Sequence, residues 1–242
     1  MLPVDLNCDM GEGIGNDAAL MPYITAANIA CGYHAGDEGT MRQTLLLAQQ
    51  YGVAAGAHPS FPDRKNFGRT PMVCTPQQVY DWVTDQIKIL QQIAADNHIK
   101  LHHVKPHGAL YNGTARDATL AKAIAQAVKD CGNHLVLYGL SGSHLISEAK
   151  AAGLQTASEA FADRTYQDDG SLTPRSQPHA LIENEAAAVQ QVRQMVQQQT
   201  VTTVSGKQIP IVAETICLHG DGKQAVAFAQ AIQAALWVFK ED

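Results

Sequence analysis

The chain has 242 residues, 45% of them apolar and only 17% charged, and a formal net charge of −6 with no stripe of basic residues, which gives no electrostatic reason to expect nucleic-acid binding. Residues 1–5 lack the basic flank and apolar core of a signal peptide, and no apolar run approaches the ~20 residues that span a bilayer. Cys8, Cys31, Cys74, Cys131 and Cys217 are odd in number and form no CxxC pair, so reduced thiols in a soluble cytoplasmic protein are expected, without a disulfide framework or structural zinc.

Strand-like and helix-like patterns alternate along the chain. Residues 2–8 read as a first strand and 26–32 as a short buried run. A helix over 41–51 precedes a strand over 53–57. Thr75 opens the clearest helix, with Pro76 at its first position and Gln78 completing a capping box. Val79, Val83, Ile87, Leu90 and Ala94 follow at spacings of three and four. Strand 101–105, a helix marked by Leu120, Ile124 and Val128, and strand 134–138 come next. A short helix from about Gly142, strand 154–158, a helix over 183–198, strand 213–218 and a helix through Ala225, Phe228, Ile232 and Ala235 complete the pattern. Alternation of this kind predicts an α/β fold with a mainly parallel sheet, and the length suits a closed (β/α) barrel forming a single domain over 1–242. Two irregular stretches, 59–75 and 161–177, are long enough to be read as lids or binding loops.

Apolar runs repeatedly end in a polar group. The first ends at Asp9, the second leads to His34, the third to His58, and the fourth to Lys105 and His107. Later runs end at Glu159 and at His219, with Asp221 close behind. In a (β/α) barrel the C-terminal strand ends form one face, where active sites sit. These residues are therefore expected to converge at one mouth. Asp5, Asn7 and Asp9 alternate along one strand and should share its interior face, where they must pair with one another or bind something. Arg64, Arg69, Arg164 and Arg175 lie in the two long loops, and two of the four are expected to bind an anion. The glycines at 11, 13 and 15 are followed by Asn16, so no dinucleotide loop is formed. GxxxxGK[ST], GxSxG and HExxH are all missing, so the chain carries no nucleotide motif.

The same segments resemble the LamB/YcsF family along nearly the whole length. The matching stretches are 5–12 (DLNCDMGE), 28–37 (NIACGYHAGD), 56–63 (GAHPSFPD), 67–69 (FGR), 104–112 (VKPHGALYN), 159–166 (EAFADRTY) and 216–221 (ICLHGD). Glu38 stands where the family often has Pro, and Asn66 where it commonly has Gly, so altered loop geometry is expected there. The resemblance implies an irregular TIM-like barrel of the glycoside hydrolase/deacetylase type. It also implies the A component of a bacterial 5-oxoprolinase, which works with B and C subunits and converts 5-oxoproline, ATP and water to glutamate, ADP and phosphate.

On that reading a partner handles ATP and this chain directs water to the activated ring. Residue type and position suggest Asp9 or His58 as general base, and Lys105 and His107 as stabilisers of oxyanion or phosphate charge. Arg69 or Arg164 would clamp the substrate carboxylate, and Asp5, Asn7, His34, Glu159 and His219 complete the expected substrate-binding set. Asp9, His34 and His58 form a candidate divalent-metal set. Two alternatives stay open: a metal-dependent deacetylase or amidohydrolase acting alone, and a non-catalytic scaffold subunit.

Overall fold

Residues 4–220, 222 and 224–238 are described in a computed structural model, residues 237 and 238 without their side chains. Asp221 and the expected strand start at Leu2 and Pro3 lie outside the described residues. The barrel strands are β1 (Asp5–Met10), β2 (Ala26–Ala30), β3 (Ala54–His58), β4 (His103–Val104), β5 (Val136–Leu140) and β6 (Thr156–Phe161). A small antiparallel hairpin of β7 (Thr200–Thr202) and β8 (Gln208–Pro210) follows, and then β9 (Thr215–Leu218). The parallel order β1-β2-β3-β4-β5-β6-β9 closes when β9 pairs with β1, giving a seven-stranded barrel. Helices α1 (Asp17–Leu20), α2 (Glu38–Tyr51), α3 (Pro76–Asp96), α4 (Gly108–Thr114), α5 (Ala118–Cys131), α6 (His144–Ala151), α7 (Glu185–Arg193) and α8 (Ala225–Val238) complete it.

The capping box of α3 is formed as its residues dictate. Thr75 Oγ1 accepts from the Gln78 amide at 3.2 Å, and the Gln78 side chain accepts from the Thr75 amide at 2.9 Å. Such a cap stabilises a helix by roughly 1 kcal/mol. Behind it Val79, Val83, Ile87 and Leu90 are fully buried, each stabilising by about 1.5–3 kcal/mol. Glu38 occupies the first turn of α2 after the Asp37 cap and pairs with Arg42. Pro and acidic residues both suit that position. Asn66 donates to Asp63, and it is the next residue, Phe67, that takes positive φ.

Several expected elements sit about two residues later than their apolar patterns. β1 runs on through Asp9 and Met10, β3 through His58, and β6 through Glu159 to Phe161. Polar residues at those positions interrupt the hydropathy pattern while their backbones stay in the ladder. The helix expected over 183–198 is α7 followed by a π-helical turn over Gln194–Gln198. The β7–β8 hairpin and α4 are additions.

Narrow closure leaves little interior room, and small residues on β2 and β3 make space for polar side chains from their neighbours. A Cβ on Gly56 would lie 2.3 Å from the His103 ring. His103 donates to Asn28 Oδ1 at 2.8 Å and stacks on Tyr138. At the floor, Asp5 accepts hydroxyl hydrogen bonds from Thr25, Tyr138 and Thr215. No described helix is long and apolar enough to cross a membrane.

Candidate active site

The strand-end residues meet at one mouth. Asp9 is the last residue but one of β1, His58 closes β3, Lys105 follows β4 and His107 caps α4. His58 Nε2 stands 3.3 Å from Asp9 Oδ2, and Lys105 Nζ stands 3.0 Å from Asp9 Oδ1 and 2.9 Å from Glu159 Oε1. His219, after β9, lines the same cavity as Asp9, His58, Lys105 and His107.

Lys105 Nζ also reaches Asn7 Oδ1 at 3.1 Å and Cys217 Sγ at 3.0 Å. An ammonium has three donors, so these four neighbours saturate it. Burial alone would lower its pKa, but Asp9, Cys217 and Glu159 overrule burial and hold it well above the usual lysine value. Asp9 is the counterpart. Burial would raise its carboxyl, yet the His58 ring and the Lys105 ammonium hold it well below the carboxylate range. Asp9 Oδ1 accepts from Asn28 and Lys105, so Oδ2, beside His58 Nε2 at 3.3 Å, is the oxygen with lone-pair capacity left for a ligand in the cavity that Asp9 lines.

These contacts give several of the expected site residues partners within the protein. Lys105 is turned inward to balance two buried carboxylates, and its donors are spent before any substrate oxygen arrives. At His107, burial and then the neighbouring His34 and His58 rings hold the pKa well below normal, which works against a positive charge on that ring. Asp5, Asn7 and Glu159 are not brought to the cavity wall. Asp5 is at the floor. Asn7 donates to Glu159 and Thr215, and Glu159 accepts from Tyr111 at 2.6 Å. These residues form the self-satisfied interior network that the Asp5-Asn7-Asp9 alternation allowed. His34 is also behind the wall, stacked on His107 at 3.9 Å with Nε2 3.2 Å from Glu12 Oε1. Burial first, then His58, takes its pKa down to about 2.

The cavity is about 590 Å³, within the usual ~300–1,000 Å³ of small-molecule sites. Both long loops wall it, and Arg69, Arg164 and Arg175 line it. Arg164 spends donors on the carbonyls of Ala180 and Thr173, and burial followed by the nearby Arg175 charge brings its pKa down to about 10. Arg64 is not at the wall and instead donates to the carbonyls of Gly32 and Gly36.

Three contributors escaped the sequence reading. Arg116, just past α4, also lines the cavity. Asp163 grips the His219 ring, its oxygens 2.9 and 3.0 Å from Nδ1. A carboxylate accepts, so Nδ1 carries the proton and Nε2 is left for a ligand. Glu12 gathers with His34, His58 and His107, while Asp9 gathers with Cys217 and His219, so the expected metal set of Asp9, His34 and His58 is divided between two groups. Glu12 was legible only as an acid bracketed by glycines. Gly11 and Gly13 both take positive φ, which turns the loop back over the mouth.

A parallel (β/α) barrel with such a mouth, under an arginine-walled cavity, defines an enzyme site suited to a small anion. The chain matches the LamB/YcsF family over residues 4–239 and belongs to that family. It is 54% identical over 238 residues to the A subunit of 5-oxoprolinase from Bordetella pertussis, covering 96% of this chain and 94% of that one. It is likewise 54% identical over 241 residues to the A subunit of 5-oxoprolinase from Tolumonas auensis, covering 98% and 96%. Among solved structures, the lactam utilization protein from Thermus thermophilus superimposes with a TM-score of 0.90 at 40% identity, over 98% of this chain and 97% of that one.

Proposed function

We propose that this chain is the A subunit of an ATP-dependent 5-oxoprolinase and opens the lactam ring once a partner has activated it. The full-length likeness to relatives named as the A subunit of 5-oxoprolinase carries this reading. A lettered subunit implies an assembly of several, whose other members we take to be the B and C subunits. ATP is assigned to a partner, since no phosphate loop occurs in this sequence.

A lactam is a poor electrophile, and its nitrogen is a poor leaving group. Transfer of the ATP γ-phosphoryl group to the amide oxygen makes the ring carbon reactive and releases ADP. In our reading, water held on Asp9 Oδ2 then adds to that carbon. A strongly activated carbon needs only a well-placed weak base, which suits a carboxylate held as an anion. The C–N bond breaks as a proton reaches nitrogen: the proton that the attacking water gives to Asp9 passes to His219 Nε2, whose ring Asp163 orients, and from there to nitrogen. The remaining γ-glutamyl phosphate takes up a second water and yields glutamate and phosphate. Arg69 and Arg164 are assigned to the carboxylate and phosphoryl charges, with Arg116 and Arg175 on the same wall. Lys105 and Glu159 act as positioning residues.

Reconstitution tests this. Glutamate should form from 5-oxoproline only when this chain, the B and C subunits, and ATP are all present. Ring opening by the chain alone without ATP would instead mean a stand-alone amidohydrolase. Equal glutamate production by B and C without this chain would leave it a scaffold or less.

A further inference from the structure

Glu12, His58 and His107 come from three separate segments, yet their donor atoms point at one spot. His58 Nε2 is 2.9 Å from His107 Nδ1. Glu12 Oε1 is 3.5 Å from His107 Nδ1 and 4.0 Å from His58 Nε2. Ligands around a tetrahedral zinc ion at ordinary bond lengths stand about 3.3 Å apart. The side chains of all three are at most 6% exposed.

The protons can be placed. His58 Nδ1 is 2.7 Å from the Lys105 carbonyl, and His107 Nε2 is 2.9 Å from the Phe67 carbonyl. Carbonyl oxygens only accept, so both of those nitrogens carry hydrogen. In the neutral rings, His58 Nε2 and His107 Nδ1 are then bare and aim lone pairs at each other across 2.9 Å. Such a contact holds only with a positive species between them. A shared proton would serve that pair and Asp9 Oδ2, 3.3 Å from His58 Nε2, whereas the Glu12 carboxylate converges on the same point from the side of His107. Backbone carbonyls on the far nitrogens are also how metal-binding imidazoles are usually oriented.

We propose that Glu12, His58 and His107 bind one divalent transition-metal ion of the zinc class, with a further coordination position toward the cavity that His58 and His107 line. This assignment does not depend on the reaction proposed above. His34 is a positioning residue. Its ring lies parallel to His107 at 3.9 Å, so its lone pair cannot point where that of His107 points, and its Nε2–H is placed to donate to Glu12 Oε1 at 3.2 Å. A divalent ion there would act as a Lewis acid on an oxygen held in the cavity.

The test is calorimetric titration of Zn²⁺ into chelator-stripped full-length protein, with Co²⁺ absorption as a second readout of coordination. One equivalent should bind, and Co²⁺ should give the visible bands of a low-coordinate site. Glu12→Gln and His107→Gln should remove this binding, while circular dichroism confirms that the variants fold. His34→Asn should keep the site but weaken it by roughly 10–100-fold, the usual effect of losing an orienting neighbour. No binding at millimolar Zn²⁺ would overturn the proposal and leave a shared proton between the two rings. So would wild-type affinity in Glu12→Gln, or loss of binding in Asp9→Asn alone.

Discussion

Lys105 brings a positive charge into a space that already holds two carboxylates, and the three groups are stable there only together. Removing one member of a buried ion set typically costs about 3–5 kcal/mol, because the remaining charge stays desolvated. Lys105→Met keeps the length of the side chain and deletes its charge, leaving Asp9 and Glu159 facing each other across Asn7 and Asn28. We expect a loss of stability of about that size, measured as a shift in the urea midpoint. A variant as stable as the parent would show that Lys105 does not balance these carboxylates. At this scale the sequence was partly legible. The strand-end positions of Asp9, His58, Lys105, His107 and His219 identified the mouth. The direction of each side chain did not follow, because Lys105 and Glu159 turn inward to partners contributed by distant strands. Glu12 and Asp163 lie in loops just past a strand end, and their roles emerge only when those loops fold back onto the imidazoles.

Among the elements, β3 shows most clearly how composition sets geometry. Its Ala-Ala-Gly-Ala run leaves the room that the His103 ring occupies. That ring is held by Asn28 and Tyr138 and cannot easily step aside. Gly56→Ala should therefore destabilise the protein by about 1–3 kcal/mol through overpacking, although alanine is ordinarily harmless in a strand. Guanidinium unfolding is the check, and an unchanged midpoint would mean that the barrel interior is looser than its contacts imply. Helix α3 was readable to the residue at its start, because its capping box and apolar stripe are local signals. The strands were readable in kind but displaced, because the residues that serve the site are the ones that break the hydropathy pattern. The β7–β8 hairpin carries mostly polar residues and no NG or DG turn, so nothing local announced it.

For the molecule as a whole, alternation and length pointed to a parallel (β/α) barrel. Closure with seven strands was not legible, since it depends on β6 pairing directly with β9 across an excursion of more than fifty residues. That excursion and the loop over 59–75 supply the arginine-rich wall, while the strand ends supply the carboxylate and imidazoles beneath it. The division of labour we propose places ATP on a partner and water delivery here, so the two product streams can be separated. Asp9→Asn preserves shape and hydrogen bonding but removes the anionic carboxylate. The decisive measurement is glutamate and ADP released in the same reaction by the reconstituted complex carrying Asp9→Asn. Glutamate release should fall by roughly 10²-fold, the usual scale for a positioned acid or base, while ADP release continues as the activated lactam loses its phosphoryl group to water and reverts. A parallel fall of both products in a well-folded complex, or no fall in either, would contradict a water-directing role for this chain.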